Sequence, residues 1–193
     1  MFEKVIDEIN DSLDNDKVII SLAPGFTITQ LKEKLKAGRI VRSMPNTPAM
    51  IGEGMTGVCF DENEFDENEI DVINKIFEST GKAKKVDEKL MNSVVCASGS
   101  SPAYVFMFIE ALADSAVKCG LPRKDAYEFV AQTVLGSAKL MLETGKHPGE
   151  LKDMVCSPGG TTIAGVAELE KNGFRKAIFE ATDACFNKCN NIK

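Results

Sequence analysis

The sequence contains no tryptophan, a single histidine and no dense basic patch. Acidic residues outnumber basic ones by 29 to 23, which leaves a net charge of -6 at pH 7. Because an acidic surface repels a phosphate backbone, this balance argues against a nucleic-acid-binding protein. The tightest basic run, at positions 82–85, is followed by Asp87 and Glu88, and it is typical of a solvated face.

Long hydrophobic runs are also few. We find no uninterrupted apolar stretch of the ~18–20 residues that a membrane-spanning helix needs. The first eight residues are charged and amphipathic, unlike the apolar segment of a secretory signal peptide. We therefore expect a cytoplasmic protein that does not contact a membrane.

The sequence contains six cysteines, with no CxxC spacing among them, and His147 is its single histidine. Cys185 and Cys189 could share one face of a helix, but two thiols do not complete a zinc site. Apolar neighbours favour reduced, structural thiols over a disulfide or a metal site. No metal is predicted. The six are Cys59, Cys96, Cys119, Cys156, Cys185 and Cys189.

The chain changes character near residue 88, which divides it into two predicted domains, 1–88 and 89–193. The first alternates short β-type runs with helical patterns, which indicates an α/β layer with a largely parallel sheet, the remnant of a Rossmann-type domain. Thr29 is the predicted cap of its second helix. The predicted strands are 18–22, 39–44, 55–60 and 83–86, and the predicted helices begin near residues 5, 29 and 67.

Residues 89–193 carry only helical patterns, punctuated by glycine and proline. Predicted helices cover 102–119, a stretch ending near 143, a segment starting at Pro148, then 161–171 and 174–189. Several of these helices are apolar over wide arcs, which is typical of helices that pack in a bundle or against a second subunit. We expect a homodimer or a larger homo-oligomer; a monomeric bundle is the alternative.

The segment at positions 52–57 satisfies the pattern GxGxxG, but we do not interpret it as a nucleotide site. A dinucleotide fingerprint follows a strand and opens a helix. This one follows a turn with prolines and precedes the β-type residues 58–60. Glu53 would also face the phosphates. A glycine-rich turn is the better interpretation.

A second glycine-rich turn, Ser-Pro-Gly-Gly-Thr-Thr at positions 157–162, leads directly into a predicted helix. The first N–H groups of a helix lack intrahelical partners, and with the helix dipole they form an anion site. The glycines let a carboxylate approach the backbone. The alternative is an ordinary helix start, capped by Thr161 or Thr162.

The same turn carries a family resemblance. The run KDMVCSPGGTTIAGVAELEKNGFR, with the blocks VRSMPNTPAMIGEGMT and ASGSSPAYVFMFIEALADSAVKCGLPR, resembles the pyrroline-5-carboxylate reductases over essentially the whole chain. That resemblance implies reduction of the cyclic imine 1-pyrroline-5-carboxylate to L-proline with NADPH or NADH, a Rossmann-type domain, and a helical domain that interlocks with a second subunit. By the resemblance, the family's initial strand and phosphate loop have no counterpart here, so we expect this chain alone to be inactive or weak. A non-catalytic dimerisation and ligand-binding fragment is the alternative.

Carried over residue by residue, the resemblance implies that Thr162 is the catalytic residue, with its hydroxyl at the ring nitrogen. The implied substrate-binding residues are Ser157, Gly159, Gly160, Thr161 and Thr162. Two strand ends are expected to line the cofactor side, because the carboxyl ends of parallel strands form the ligand crevice; ordinary turn chemistry is the alternative. The cofactor-binding candidates, for NADP or NAD, are Leu22, Ala23, Pro24, Met44, Asn46 and Thr47.

Other charged residues of the helical half are not predicted to be catalytic. His147 is interpreted as part of a helix entry rather than as an acid–base catalyst. Lys152 and Asp153 are interpreted as residues that orient the turn. A 3-hydroxyacid dehydrogenase of similar layout is disfavoured, because such enzymes rely on a lysine in the first long helix after the nucleotide domain, and residues 99–117 contain none.

Overall fold

A computed structural model of the chain describes residues 2–191, with side chains from residue 4 onward. Four strands and short helices occupy the first half, and long helices occupy the second, as predicted. The strands are β1 Val18–Ser21, β2 Arg39–Met44, β3 Gly54–Cys59 and β4 Gly81–Lys85. The helices are α1 Phe2–Ile9, α2 Ile28–Lys34, α3 Glu67–Glu78, α4 Met91–Val94, α5 Ser101–Lys118, α6 Arg123–Thr144, α7 Pro148–Val155, α8 Thr161–Lys171 and α9 Phe174–Asn190.

The four strands form one sheet in the order β1-β2-β3-β4. The pairs β1–β2 and β3–β4 are parallel, which confirms the mostly parallel sheet, while β2 and β3 are antiparallel. The connection at positions 45–53 explains that exception, since it is too short for the crossover that a parallel pair needs. Because β1 and β2 are parallel, they end at the same edge of the sheet.

Helices cover both faces of this sheet because the strands are apolar on both sides. On one face, Val41 and Val58 pack with Ile73 and Phe77 of α3. On the other, Ile40 packs with Leu31 of α2 and with α1. These buried side chains fix the strands that present the two strand-end turns.

The starts of two helices are set by capping boxes. In α3, Asp66 accepts a hydrogen bond from the backbone of Glu69, whose side chain accepts one in return. In α2 the same exchange joins Thr27 and Gln30. The prediction of Thr29 as the cap is therefore wrong, because only Thr27 has a glutamine three positions later.

Strands β3 and β4 approach so closely at one point that no side chain fits between them. Gly81 has a φ of +138°, and a Cβ atom there would lie 2.2 Å from the carbonyl oxygen of Gly54. A Cβ on Gly54 would likewise lie 2.7 Å from the carbonyl oxygen of Thr80. The glycines of positions 52–57 thus serve a turn and a strand, as predicted, and no helix follows them directly.

The described residues pack as two compact units, 2–102 with 182–191 and 103–181. The predicted boundary at residue 88, which rests on the loss of strands, remains a prediction. Within 103–181, Ala113, Ala126 and Val130 form a small buried cluster. Many large apolar side chains of this unit are exposed instead, among them Phe106, Met107, Phe129, Leu142 and Phe179. An apolar surface of this extent is typical of an interaction face.

One continuous helical segment, Glu88–Lys118, joins α4 and α5 through a π-helical turn. It is long and apolar enough to cross a membrane by length and composition alone, with a mean hydropathy of 1.3 over 18 residues. The expectation that no segment approaches such a span is wrong in that sense, because serines and glycines interrupt the apolar run without ending the helix. Helices that pack within proteins satisfy the same criterion. The cytoplasmic location remains a prediction.

Candidate functional site

The turn between α7 and α8 has the geometry of an open helix start. Helix α7 ends at Val155, and Thr161 is the first residue of α8. The N–H of Gly160 donates to the carbonyl of Ser157 at 3.0 Å, which closes a tight turn around Gly159. Gly159 has a φ of +68°, a left-handed conformation that glycine adopts without strain.

Gly160 is the N-cap of α8, and no side chain makes a capping hydrogen bond there. The alternative that Thr161 or Thr162 caps the helix is therefore wrong, since both residues already lie within its first turn. The N–H groups of that turn have no intrahelical acceptors. Together with the positive end of the helix dipole, they form a site for a carboxylate or another small anion.

Three hydroxyl groups surround this helix start. Ser157, Thr161 and Thr162 are all exposed. Ser157 also lies close against Gly160, because a Cβ atom at position 160 would lie 2.4 Å from the Ser157 Oγ atom. The five predicted substrate-binding residues are thus brought together on one turn, with hydrogen-bond donors from both backbone and side chains.

The residues before the turn have structural contacts. Lys152 forms an ion pair with Asp153, and the hydrogen bond to Asp153 raises the pKa of Lys152. The N–H of Cys156 donates to the carbonyls of both residues, at 3.2 and 3.1 Å. His147 caps α7 by accepting a hydrogen bond from the N–H of Gly149 at its Nδ1 atom, 3.1 Å away. The cap at His147 is the helix entry that was predicted. The hydrogen bonds from Cys156 go to the backbone of Lys152 and Asp153, so that the roles of these two side chains remain predictions.

The predicted cofactor residues lie in the other compact unit, at the adjacent ends of β1 and β2. Ser21 ends β1 and accepts a hydrogen bond from the N–H of Ala23 at 3.3 Å. Leu22 and Pro24 are exposed there. Met44, which ends β2, is 9% exposed and packs with Met91. Its side chain is therefore not available to a ligand.

Asn46 holds the second of these turns in place. Its Oδ1 atom accepts a hydrogen bond from the N–H of Met55 at 2.9 Å, which leaves the Nδ2 group as a donor. Thr47 beside it is exposed. An amide donor and a hydroxyl fit the uncharged nicotinamide–ribose end of a dinucleotide. Residues 22–25 and 44–48 include no cationic side chain, so these two turns offer no charged partner to its phosphates.

Sequence reasoning missed a polar cavity of about 500 Å³ beside the first of these turns, at Gly25. It is lined in part by Thr27, Arg42, Glu88 and Asn92. Arg42 is only 5% exposed, and its Nη1 atom lies 3.3 Å from the Oε1 atom of Glu88. That oxygen also accepts the N–H of Ile28 at 2.6 Å. The sequence did contain a signal for this site, because Arg42 is a charged residue between the apolar residues Ile40 and Met44 of one strand.

Comparisons with known proteins identify the family. The model for pyrroline-5-carboxylate reductase dimerisation matches residues 88–192. The pyrroline-5-carboxylate reductase of Escherichia coli (strain K12) is 54% identical over 186 residues, which cover 96% of this chain and 69% of that protein. The enzyme of Arabidopsis thaliana is 44% identical over 182 residues, covering 94% of this chain and 66% of that protein.

A solved structure gives the same result. The crystal structure of Plasmodium falciparum pyrroline carboxylate reductase with NADP bound matches with a TM-score of 0.89 at 36% identity, covering 98% of this chain and 76% of that chain. The structure from Streptococcus pyogenes matches with a TM-score of 0.86 at 33% identity, covering 98% and 73%. This chain therefore belongs to the pyrroline-5-carboxylate reductase family, whose members are NAD(P)H-dependent oxidoreductases of proline biosynthesis.

Proposed function

We propose that this chain binds 1-pyrroline-5-carboxylate through the turn before α8 and forms the substrate-binding part of a reductase that produces L-proline. The observation that carries the proposal is the start of α8, where Gly160 leaves the helix without a side-chain cap. The substrate has one carboxylate, and an uncapped helix start binds carboxylates. Two glycines and three hydroxyls in six residues suit a small anionic ring.

In this proposal each residue of the turn has one task. The N–H groups of Gly160, Thr161 and Thr162 hold the carboxylate, and Gly159 gives the turn its shape. The Thr162 hydroxyl donates or accepts at the ring nitrogen, while Ser157 supports the turn. No strong base is needed, because a protonated imine is already a good hydride acceptor and fixing its orientation supplies much of the rate enhancement.

The cofactor side is proposed to be the edge where β1 and β2 end. Reduced NADP or NAD supplies the hydride when bound. The backbone of Leu22, Ala23 and Pro24 and of Met44 would lie along the nicotinamide and ribose, with Asn46 and Thr47 as donors. The choice between NADPH and NADH depends on contacts to the 2′-phosphate, for which these two turns supply no cation.

A homodimer is proposed for the helical unit. Phe106, Met107, Phe129 and Phe179 are between 59% and 70% exposed, and a partner copy would cover such side chains. The same observation favours the second candidate function, a dimerisation and ligand-binding fragment without catalysis. Light scattering on the purified chain tests the dimer, and a monomer at micromolar concentration would contradict it.

Turnover separates the two functions. The purified chain is mixed with NADPH and 1-pyrroline-5-carboxylate, and the absorbance of the reduced cofactor is followed. We expect little or no turnover by the chain alone, with L-proline still binding. We also expect activity to appear on addition of the amino-terminal part of a relative, which β1 can accept because, among the described strands, it pairs only with β2. Failure of proline to bind would contradict the proposed substrate site.

Thr162→Val tests the role of the hydroxyl. Valine has nearly the same shape, so the variant should fold normally while its affinity for L-proline falls by roughly 5–13-fold, as expected for one lost hydrogen bond worth about 1–1.5 kcal/mol. Isothermal titration calorimetry provides the affinity. Thr29→Val is the matched control, because Thr29 is also the second residue of a helix, α2, whose start is already capped by Thr27. Equal affinities for the two variants would remove Thr162 from the site.

A further inference from the structure

Three of the six cysteines form a single cluster. Cys96 lies in a π-helical turn, Val95–Gly99, just before α5. Cys185 and Cys189 lie one turn apart on α9. Hydrogen bonds on both sides of Cys96 join its segment to α9, and on one side the Asn92 Nδ2 group donates to the Oδ1 atom of Asn190 at 2.9 Å. The Cys185 Sγ atom also donates to the Ser100 Oγ atom at 3.3 Å. All of these residues belong to the same compact unit.

The three thiols differ in their access to solvent. Cys96 is 6% exposed and Cys189 is 9% exposed, whereas Cys185 is half-buried. Burial, together with the hydrogen bond to Cys185, raises the pKa of Cys96 to about 12. Burial also raises the pKa of Cys189. Because the thiolate is the reactive form, the two buried thiols are poor first nucleophiles, and Cys185 is the one that a small reagent meets first.

A metal site is not the best use of this cluster. Within residues 2–191, no group of three or more histidine, cysteine, aspartate or glutamate side chains is arranged to hold a metal ion. What the arrangement does provide is a buried thiol, Cys96, on a segment that is hydrogen-bonded to α9, and on α9 a thiol reachable from solvent, Cys185. That is the requirement for thiol–disulfide exchange.

We propose that Cys96 and Cys185 form a reversible disulfide by exchange with a low-molecular-weight disulfide. The Cys185 thiolate attacks one sulfur of the reagent, giving a mixed disulfide and releasing one thiol. The Cys96 sulfur, after losing its proton to water, then attacks the Cys185 sulfur and releases the second thiol. The two cysteines are oxidised by two electrons, and the reagent is reduced to two thiols. Cys96 is the resolving residue because Cys185 and Cys189 are four positions apart on one helix. Cβ atoms at that spacing lie about 5–6 Å apart, which exceeds the ~3.5–4.5 Å of a disulfide.

The consequence concerns the helical unit. Cys96 and Cys185 lie on the two segments that precede and follow residues 103–181 in the chain. A disulfide between them would close a loop over that entire unit, which restricts the unfolded chain more than a short loop does. We expect the oxidised protein to have a midpoint of thermal unfolding about 5–10 °C above that of the reduced protein.

The test uses the full chain, fully reduced and then incubated with oxidised glutathione at mildly alkaline pH. Thiol counting by peptide should show the loss of the Cys96 and Cys185 thiols without a retained glutathione adduct on either residue, reversed by dithiothreitol. Adducts on the exposed Cys119 are counted separately. Peptide mapping of the non-reduced protein should join Cys96 to Cys185. A glutathione adduct on Cys185 as the final product, a Cys185–Cys189 link, or an unreacted Cys185 thiol would each overturn the proposal.

Cysteine-to-serine variants test which two thiols are joined. Cys185→Ser should abolish the cross-link, and because Cys185 is half-buried the change should be tolerated by the fold. Cys189→Ser should retain the cross-link, since Cys189 takes no part in it. Cys119→Ser is the matched control outside the cluster and should behave as the unmodified chain. A cross-link that persists in Cys185→Ser, or disappears in Cys189→Ser, contradicts the assignment of the pair.

Discussion

Replacement of Gly81 by alanine is expected to unfold the sheet. The new Cβ atom would lie 2.2 Å from the carbonyl oxygen and 2.4 Å from the nitrogen of Gly54. Both are backbone atoms of β3, and a rotamer change cannot move them. Gly54 is also held in place by a hydrogen bond, which its N–H donates to the carbonyl oxygen of Thr80 at 2.9 Å. We expect a loss of about 4 kcal/mol or more in the free energy of unfolding, which is comparable to the total stability of many domains at roughly 5–15 kcal/mol.

Urea unfolding followed by circular dichroism measures this loss. Gly52→Ala is the matched control, because Gly52 has a φ of +76° but no atom within 4 Å of a Cβ built there. It should lose only the cost of a left-handed alanine, about 1–2 kcal/mol. If both variants were destabilised equally, the close approach of β3 and β4 would not be the reason for glycine at position 81.

Gly160→Ala is expected to weaken binding of the substrate carboxylate strongly. Its methyl group would lie 2.4 Å from the Oγ atom and 3.1 Å from the carbonyl oxygen of Ser157. The serine side chain can rotate away, but the carbonyl belongs to the turn, whose backbone must then shift by a few tenths of an ångström. That shift would displace the N–H groups of the first turn of α8 relative to a bound carboxylate. Since hydrogen bonds to a charged group contribute about 1.5–3 kcal/mol each, we expect affinity for L-proline to fall on the order of 10–100-fold.

Calorimetry with L-proline measures the loss, and circular dichroism verifies that the helices remain. Gly165→Ala serves as the control on the same helix, since a Cβ atom there meets nothing within 4 Å. It should bind normally and gain about 1 kcal/mol of stability from helix propensity. Normal binding by Gly160→Ala would place the carboxylate elsewhere.

The fold was largely predictable because its elements are punctuated by glycine and proline. Gly145 ends α6 in a left-handed conformation, and Pro148 starts α7, both as predicted. The antiparallel pairing of β2 and β3 was not predictable from apolar runs, since these mark a strand but not its direction. Thr27 and Thr29 both suit a helix start, and the choice between them depended on Gln30, a local signal that was available.

The candidate site could be found only in part. The sequence shows the glycines and hydroxyls of positions 157–162 together, so the turn was found. That Gly160 itself is the cap depends on backbone angles which residue types do not determine. The contacts of Arg42 with Glu88, and of Cys96 with α9, join positions far apart in the chain. Such pairs follow from tertiary packing, and no local pattern in one sequence reveals them.

The start of α8 also bears on how residues are selected in this fold. For stability alone, serine, threonine, aspartate or asparagine would be preferred at position 160, since each offers an oxygen to the first-turn N–H groups. Glycine there leaves those groups to water when no solute is bound. The substrate would then act as the missing cap, so that occupancy of the site should slow amide hydrogen exchange and proteolysis at the start of α8. A search for stabilising mutations in this chain would tend to fill position 160, and would lose the site by doing so.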